Sequence, residues 1–377
     1  MVSIEGRKDP RGRVEDTRLL TGRGRYVDDL RFEDQAYLGI VRSPYAHARI
    51  KRIDFSKVRS SPEFVSSLTG EDLLKKGVRP LTQLPIQKPA NRYHLAVKKV
   101  RYSGEAIAAI LVKSKNSIED LIDDVEVEYE ELPVVSTIEE SKRDKTLLYE
   151  DWDSNIAFTQ EAKRGDAEHE IASAPHVVKT RVGIARQSGT PIEPRAVLVS
   201  YDEVNDVYDI YATVQSAQRL QGYLASELQL PKGKFHVRVM DVGGGFGTKG
   251  AQSYPEYALA CIFSKDAGVS VKWTSTRTED LLETASGRDE YCNIVLACDH
   301  NGKILALKAD LESDAGVSGT LSIMAGISLK LIPGSYRIPN LDLKATAYVT
   351  NKGPLGPVRG AGRPEACFFI ERAVDLM

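Results

Sequence analysis

Residues 235–263 read FHVRVMDVGGGFGTKGAQSYPEYALACIF, and this stretch decides the fold class of the chain. Phe235, Val237 and Val239 alternate with other residues at the two-residue period of a strand. Pro255 suits the first turn of a helix, for which YPEYALACIF supplies an apolar body, and VSVKW, from Val269, begins a further strand. Strand, helix and strand in this order predict a mixed α/β domain. Between the first strand and the helix lie Gly243, Gly244, Gly245, Phe246, Gly247, Thr248, Lys249 and Gly250. One or two glycines would serve a tight turn. Five around a single Phe predict a close approach of backbone to a ligand, because glycine accepts positive φ and lets N–H groups reach an anion or an electron-rich cofactor.

Two phosphate loops can be tested against this segment. A Walker A loop needs Gly-Lys-Ser/Thr, whereas Lys249 lies between Thr248 and Gly250, which excludes it. Gly245, Gly247 and Gly250 do fit G-x-G-x-x-G, yet KWTSTR at the end of the next strand has no Asp or Glu for a ribose. Arg277 could meet a 2′-phosphate instead, so an NADP-dependent dehydrogenase stands as an alternative reading.

Outward from the loop the pattern continues. Val207 to Val214 reads as a strand, and Gln215 to Leu230 carries Leu220, Tyr223, Leu224 and Leu228 at helical spacing. Near the end, GPLGPVRGAGRPEACFFIER (353–372) sets Arg359 and Arg363 on either side of Gly360, Ala361 and Gly362, so a guanidinium stands beside a loop able to approach a polar ligand. Towards the N-terminus, Ala36 to Val41 reads as a short strand, and RYSGEAIAAILVKS as another. SIEDLIDDVEVEYEELPVV predicts a helix leading into a strand whose Glu126, Glu128 and Glu130 form a solvated face. From about Glu140 to Ile156 the chain is polar and aperiodic, which predicts a linker. The division drawn there gives two domains, 1–145 and 146–377.

Composition narrows the function. With 377 residues, the chain is long enough for two or three domains at about 100–200 residues each. Lys and Arg number 51 against 53 Asp and Glu, so there is no basic footprint for nucleic acid. The longest apolar run, Ala106 to Val112, is far short of the ~20 residues a spanning helix needs, and the charged N-terminus lacks a signal-peptide core, so a cytoplasmic protein outside the membrane is expected. Cys261, Cys292, Cys298 and Cys367 form no C-x-x-C pair, so no iron–sulfur or zinc ligands are expected in this chain. Cys292 and Cys298 fall on one face of a strand as buried thiols. His47, His94 and His300 read as structural or exposed, and no metal ligand is assigned.

Several segments together resemble one family, the molybdenum hydroxylases of the xanthine oxidase and carbon monoxide dehydrogenase type, in their large molybdopterin-binding subunit. RVEDTRLLTGRGRYVDDL, RSPYAHARI and VRYSGEAIAAILVKS with VEVEYEELPVV are similar to its opening hammerhead domain. IEPRAVLVSYDE, VQSAQRLQGYLASELQL, DVGGGFGTKG and VRGAGRPEACFFIER resemble successive motifs of its first molybdenum-binding domain. The resemblance implies an α+β architecture. It consists of an N-terminal aldehyde oxidase/xanthine dehydrogenase a/b hammerhead domain with an N-terminal extension, followed by the first molybdopterin-binding mixed α/β domain.

The resemblance further implies molybdopterin, as the cytosine dinucleotide, with molybdenum. It assigns Gln215, Gly244, Gly245, Phe246, Gly247, Arg359, Gly360 and Ala361 to the cofactor, and Arg359 to the substrate pocket as the catalytic candidate. The family reaction is hydroxylation with oxygen from water, the electrons leaving through 2Fe-2S clusters to FAD. In split forms these sit on a small iron–sulfur subunit and a medium FAD subunit, beside a second molybdopterin-binding half-subunit. Gly250 replaces the glutamate that xanthine-oxidising members direct at the purine, and Gly360 the cysteine of carbon monoxide dehydrogenases. The small-molecule substrate expected is therefore an aldehyde or an N-heterocycle. The chain reaches only about halfway through a usual large subunit, so the catalytic glutamate base is expected on the other half. Glu193 is read as a strand-end carboxylate that holds a loop. A catalytically silent scaffold is the remaining alternative.

Overall fold

A computed structural model describes residues 13–81, 88, 90–250, 253–317 and 323–377. Three sheets organise the described residues. The largest has seven strands in the order Phe235–Arg238, Val207–Ala212, Ala196–Asp202, Ser270–Thr274, Gln35–Arg42, Ala106–Val112 and Phe64–Thr69. Gln35–Arg42 pairs in parallel with Ser270–Thr274 and antiparallel with Ala106–Val112, so one sheet runs from the N-terminal third into the glycine-loop region. All seven residues of Ala106–Val112 are buried, as an uninterrupted apolar strand covered on both faces must be.

The glycine-loop stretch forms as its pattern requires. Pro255–Ala267 is a helix with Pro at its first turn, ended by Gly268 in the left-handed region. Its residues Pro255 to Ser264 are all buried against the seven-stranded sheet, which makes this helix the centre of the largest core cluster. Ala217–Glu227 is the second helix on that cluster, with Ser216 capping its N-terminus and Leu220 and Leu224 turned inward.

A five-stranded sheet, Ile156–Arg164, Asn340–Val349, Ile304–Gly316, Glu290–Cys298 and His176–Ile184, packs on the helices Ile323–Leu331 and Arg363–Leu376. Cys292 and Cys298 are buried in it, on one strand. A small third sheet holds Glu126–Glu131 at an edge, with Glu126, Glu128 and Glu130 exposed and Val127 and Tyr129 half-buried. The resulting architecture is α+β.

The 140–156 segment is less loose than its composition implies. Leu148, Tyr149 and Trp152 are buried with Val349 of the five-stranded sheet and with Val317, just past the end of its strand Ile304–Gly316. Tyr149 and Trp152 lie with ring centroids 4.8 Å apart, and the Arg101 guanidinium covers Tyr149 at 4.8 Å. Three well-spaced aromatic and aliphatic anchors suffice to fix a stretch that shows no periodicity.

Candidate functional site

The glycine loop leaves the edge strand Phe235–Arg238 and is pinned at its start. Asp241 pairs with Arg18 and accepts the N–H of Arg25 at 2.7 Å, and its own N–H donates to the Arg25 carbonyl at 3.0 Å. Beyond it Gly244 (φ 100°) and Gly247 (φ 102°) occupy the left-handed region, and Phe246 joins them at φ 50°, where a bulky residue is rare and strained. Phe246 is 41% exposed and its ring lies over Gly244, where an added Cβ would come within 3.1 Å of it. A turn closes the loop, with the N–H and hydroxyl of Thr248 both donating to the Gly245 carbonyl at 2.8 and 2.7 Å.

Gln215, just before the helix Ala217–Glu227, supports the loop from one side. Its N–H donates to the Lys249 carbonyl at 2.9 Å, and its Oε1 accepts from the N–H groups of Gly247 and Lys249 at 3.1 and 3.3 Å. A Cβ on Gly245 or Gly250 would lie 2.9 Å from Gln215 atoms, so the glycines permit this contact. Because two backbone donors claim Oε1, the Gln215 amide is fixed in one orientation and presents Nε2 as a donor without an acceptor among the described residues.

Glu193 supports the other side. Its Oε2 accepts from the N–H of Gly243 at 2.7 Å and from Lys249 Nζ at 3.1 Å, and Lys249 also donates to the Glu193 carbonyl at 2.7 Å. The Lys249 side chain is fully buried. Burial pulls its pKa below the ordinary value, and the Glu193 charge opposes that shift. Glu193 is thus a loop clamp, the role expected of a strand-end carboxylate. Behind both, Tyr254 donates its hydroxyl to the Thr248 carbonyl at 2.6 Å, and the Arg195 guanidinium stacks on the Tyr254 ring at 3.9 Å while pairing with Glu256 at 2.9 Å.

Two further loops meet this one. In the segment holding Arg359, Gly360 (φ 107°), Ala361 (φ 47°) and Gly362 (φ 86°) are consecutive left-handed residues. Arg359 is exposed and its guanidinium has no partner among the described residues, whereas its carbonyl accepts from Arg288 Nη2 at 3.0 Å. A Cβ on Gly247 would overlap the Pro357 carbonyl, so the backbones of the two loops touch. The 186–193 loop joins them through Gln187 and Gly287, which exchange N–H···O bonds of 2.9 and 2.8 Å. Arg277 holds its far end by donating to the carbonyls of Pro191 and Ile192 at 2.7 and 3.0 Å, and it also bonds Asp280. That guanidinium is already committed, which removes the sequence argument for a 2′-phosphate and an NADP site.

The structure therefore brings Gln215, Gly244, Gly245, Phe246 and Gly247 into one cradle and sets the Arg359–Gly360–Ala361 loop against it. Among the described residues, the N–H groups of Gly244, Gly245, Phe246, Arg359 and Gly360 have no hydrogen-bond acceptor. Unclaimed amides on left-handed turns, a fixed amide donor and a free guanidinium make a donor-rich surface that fits an anionic, oxygen-rich ligand. Sequence reasoning missed the parts that hold this surface: Lys249 as the clamp's cation, Tyr254, Arg195 and Arg288. Lys249, Arg195 and Arg288 find their carboxylate partners 56, 61 and 77 residues away, so nothing beside them in the sequence announces the pairing.

A cavity of about 610 Å³ lies elsewhere, where Glu290–Cys298 turns into Ile304–Gly316; His176, Asp299, His300 and Tyr336 line it, and none of the loop residues do. Among the described residues no cluster of three or more His, Cys, Asp or Glu is arranged to hold a metal, and no helix is long and apolar enough to cross a membrane.

Known proteins match along almost the whole chain. Residues 148–377 match the family described as a molybdopterin cofactor-binding domain, and residues 21–133 the aldehyde oxidase and xanthine dehydrogenase a/b hammerhead domain. The chain is 33% identical to the 6-hydroxypseudooxynicotine dehydrogenase complex subunit gamma of Paenarthrobacter nicotinovorans, over 97% of its own length and 46% of that protein's. To the carbon monoxide dehydrogenase large chain of Afipia carboxidovorans it is 32% identical, over 99% and 48%. The quinoline 2-oxidoreductase of Pseudomonas putida 86 superposes with a TM-score of 0.89 at 29% identity, covering 95% of this chain and 48% of that one. The chain spans about half the length of the curated relatives it matches.

Proposed function

This chain belongs to the molybdopterin-binding family of xanthine dehydrogenases and aldehyde oxidases, and from that premise we propose that it is a subunit of a molybdenum hydroxylase that oxidises an aldehyde or an N-heterocycle. The observation that carries the reading is the cradle of unclaimed N–H groups around Phe246, Gln215 and the Arg359 loop, inside the segment that matches the cofactor-binding domain. When bound, molybdopterin with its molybdenum supplies two-electron oxidation and the use of water as the oxygen source.

In this reading the chain's own residues bind and orient. Gly244, Gly245, Phe246 and Gly247 present backbone to the pterin, most simply as its cytosine dinucleotide, and Gln215 Nε2 donates to an oxygen of the group, held by its committed Oε1. Gly360 and Ala361 continue the donor surface. Arg359 serves the substrate: its planar fork can hold a carboxylate or stabilise negative charge developing on a substrate oxygen. No residue of this chain is assigned as the base, since Glu193 is occupied by Gly243 and Lys249. Partners with 2Fe-2S clusters and FAD, and a second molybdopterin-binding half-subunit, complete the proposed complex, with 1–145 and 146–377 as the two sequence modules of this chain. Gly250 and Gly360 speak against xanthine and carbon monoxide as substrates.

The test is a dye-reduction assay of the isolated complex against glyceraldehyde, nicotinate, xanthine and carbon monoxide, with molybdenum and pterin measured on the same sample. Bound molybdenum with turnover of either of the first two is the expected result. A sample without molybdenum or pterin would overturn the cofactor assignment, and turnover of xanthine or carbon monoxide the substrate class.

A further inference from the structure

Behind the Arg359 loop the charges do not balance. Glu290 begins the strand Glu290–Cys298 and is 1% exposed, and Glu365, in the first turn of Arg363–Leu376, is 3% exposed. Among the described residues Arg288 is the one cation bonded to this pair: its Nη1 donates to Glu365 Oε1 at 2.6 Å and its Nη2 to the Arg359 carbonyl at 3.0 Å. Among the described residues the Oε2 atoms of both glutamates are buried without a hydrogen-bond partner, and the Ser328 hydroxyl lies beside Glu290. Both carboxyls line a small cavity with about 10 Å³ open to the centre of a water molecule, room for one. The other charges nearby cancel. Asp289, beside Glu290 in sequence, bonds Arg186 and Lys352, and Asp314 of the adjoining strand pairs with the same two cations. From the described residues of the helix Ile323–Leu331, Ser328 and Met324 face the group, and Arg363 donates to the Gly360 carbonyl instead.

We propose that Glu290 is a neutral carboxylic acid in the folded protein, donating its proton towards Glu365 Oε2 across that cavity, directly or through one water. It is thereby a positioning residue that leaves Arg288 free to hold the Arg359 backbone. A second buried anion here would compete with Glu365 and with a backbone carbonyl for one guanidinium, and buried charge without a partner is costly. Burial, joined by the Glu365 and Asp289 charges, pushes the Glu290 carboxyl up to about 8, with Ser328 and Arg288 opposing. The sign follows. An acid raised in the folded state contributes stability that is fully present below the ordinary carboxyl range and lost as pH rises through about 8. Above that, the ionised Glu290 draws Arg288 away and the Arg359 loop loosens. The inference is independent of which cofactor the neighbouring cradle holds.

The experiment uses the full chain in the assembly in which it is isolated. Infrared difference spectra between wild type and Glu290→Gln should show one protonated-carboxyl C=O band at pH 7 that the variant lacks, fading with a midpoint near 8. Hydrogen exchange, corrected for intrinsic rates, should show the amides of Ala361 and Arg363, which bond the Val358 and Gly360 carbonyls, losing roughly tenfold protection by one pH unit above that midpoint in wild type, and none in Glu290→Gln. If Glu290→Gln does not fold, Glu365→Gln replaces it: Glu290 then has Arg288 to itself, and the band should be gone at pH 7. Absence of the band in wild type, or a Glu290→Gln loop already loosened at pH 7, would overturn the proposal. So would protection that depends on sodium or potassium concentration, which would assign the missing charge to a cation.

Discussion

Glu193→Gln tests the loop clamp with the smallest possible change of shape. The wild-type carboxylate accepts from Gly243 at 2.7 Å and from Lys249 Nζ at 3.1 Å, and among the described residues no other carboxylate bonds that fully buried ammonium. Removing one partner of a buried ion pair costs about 3–5 kcal/mol. Glu193 is 14% exposed, and a glutamine oxygen can still accept from Gly243, so the expected cost of loop opening is lower, roughly 2–3 kcal/mol. At about 1.4 kcal/mol per factor of ten, the loop should open roughly 30- to 150-fold more often. Native-state hydrogen exchange reads this at the amides of Thr248 and Lys249, which bond Gly245 and Gln215. Lys249→Met alone leaves a partly hydrated carboxylate and should cost less. The double variant removes the stranded charge and should open no more often than Glu193→Gln by itself. Exchange within about threefold of wild type for Glu193→Gln, or a double variant as impaired as the two single changes added together, would refute the clamp; a tenfold change is about 1.4 kcal/mol and well resolved.

Substitutions at three other positions separate the parts of the cradle. Gly247→Ala places a Cβ into the Pro357 carbonyl at a residue with φ 102°, so the complex should lose most of its molybdenum, measured by elemental analysis, while thermal unfolding of the sheets shifts little. Gln215→Glu keeps an acceptor for Gly247 and Lys249 but removes the Nε2 donor, so loop exchange should match wild type while cofactor retention falls; Gln215→Leu should impair both. Arg359→Lys retains charge without the planar fork, and we expect lower turnover in the dye-reduction assay with metal content unchanged; an unchanged rate would remove Arg359 from the substrate pocket.

What was legible in the sequence was whatever repeats locally. The two-residue alternation of 235–239, the apolar run 106–112 and the proline at 255 each fix an element through its own neighbours, and each element is present. The glycine run was legible for the same reason: five residues without side chains in eight positions leave little else to do than bring backbone close to something. The partners were not. Lys249 and Glu193 are separated by 56 residues, Arg195 and Glu256 by 61, and Arg288 and Glu365 by 77. Each pairing exists only because a sheet has already brought segments far apart in the chain side by side. The pairing of Gln35–Arg42 with Ser270–Thr274 is equally long-range, and a sequence read in consecutive segments separates strands that share a sheet.

These hidden partners share one chemical habit, and it explains why the cradle can be exact while made of loops. A loop carbonyl has no ladder partner, and here cations with several donors take that place. Lys249 bonds the Glu193 carbonyl, Arg288 that of Arg359, Arg277 those of Pro191 and Ile192, and Arg186 that of Gly353 at 2.7 Å. Each of these cations also bonds a carboxylate, so its head group is held from both sides. The loops are therefore clamped by side chains whose loss leaves the sheets and their cores untouched. Substitutions at Lys249, Arg277, Arg186 or Arg288 should accordingly loosen one loop at a time and weaken ligand retention before they lower the unfolding temperature. An arginine-to-lysine change at 277 or 288 should behave as a loss, because one ammonium cannot reproduce the fork that spans a carbonyl and a carboxylate together.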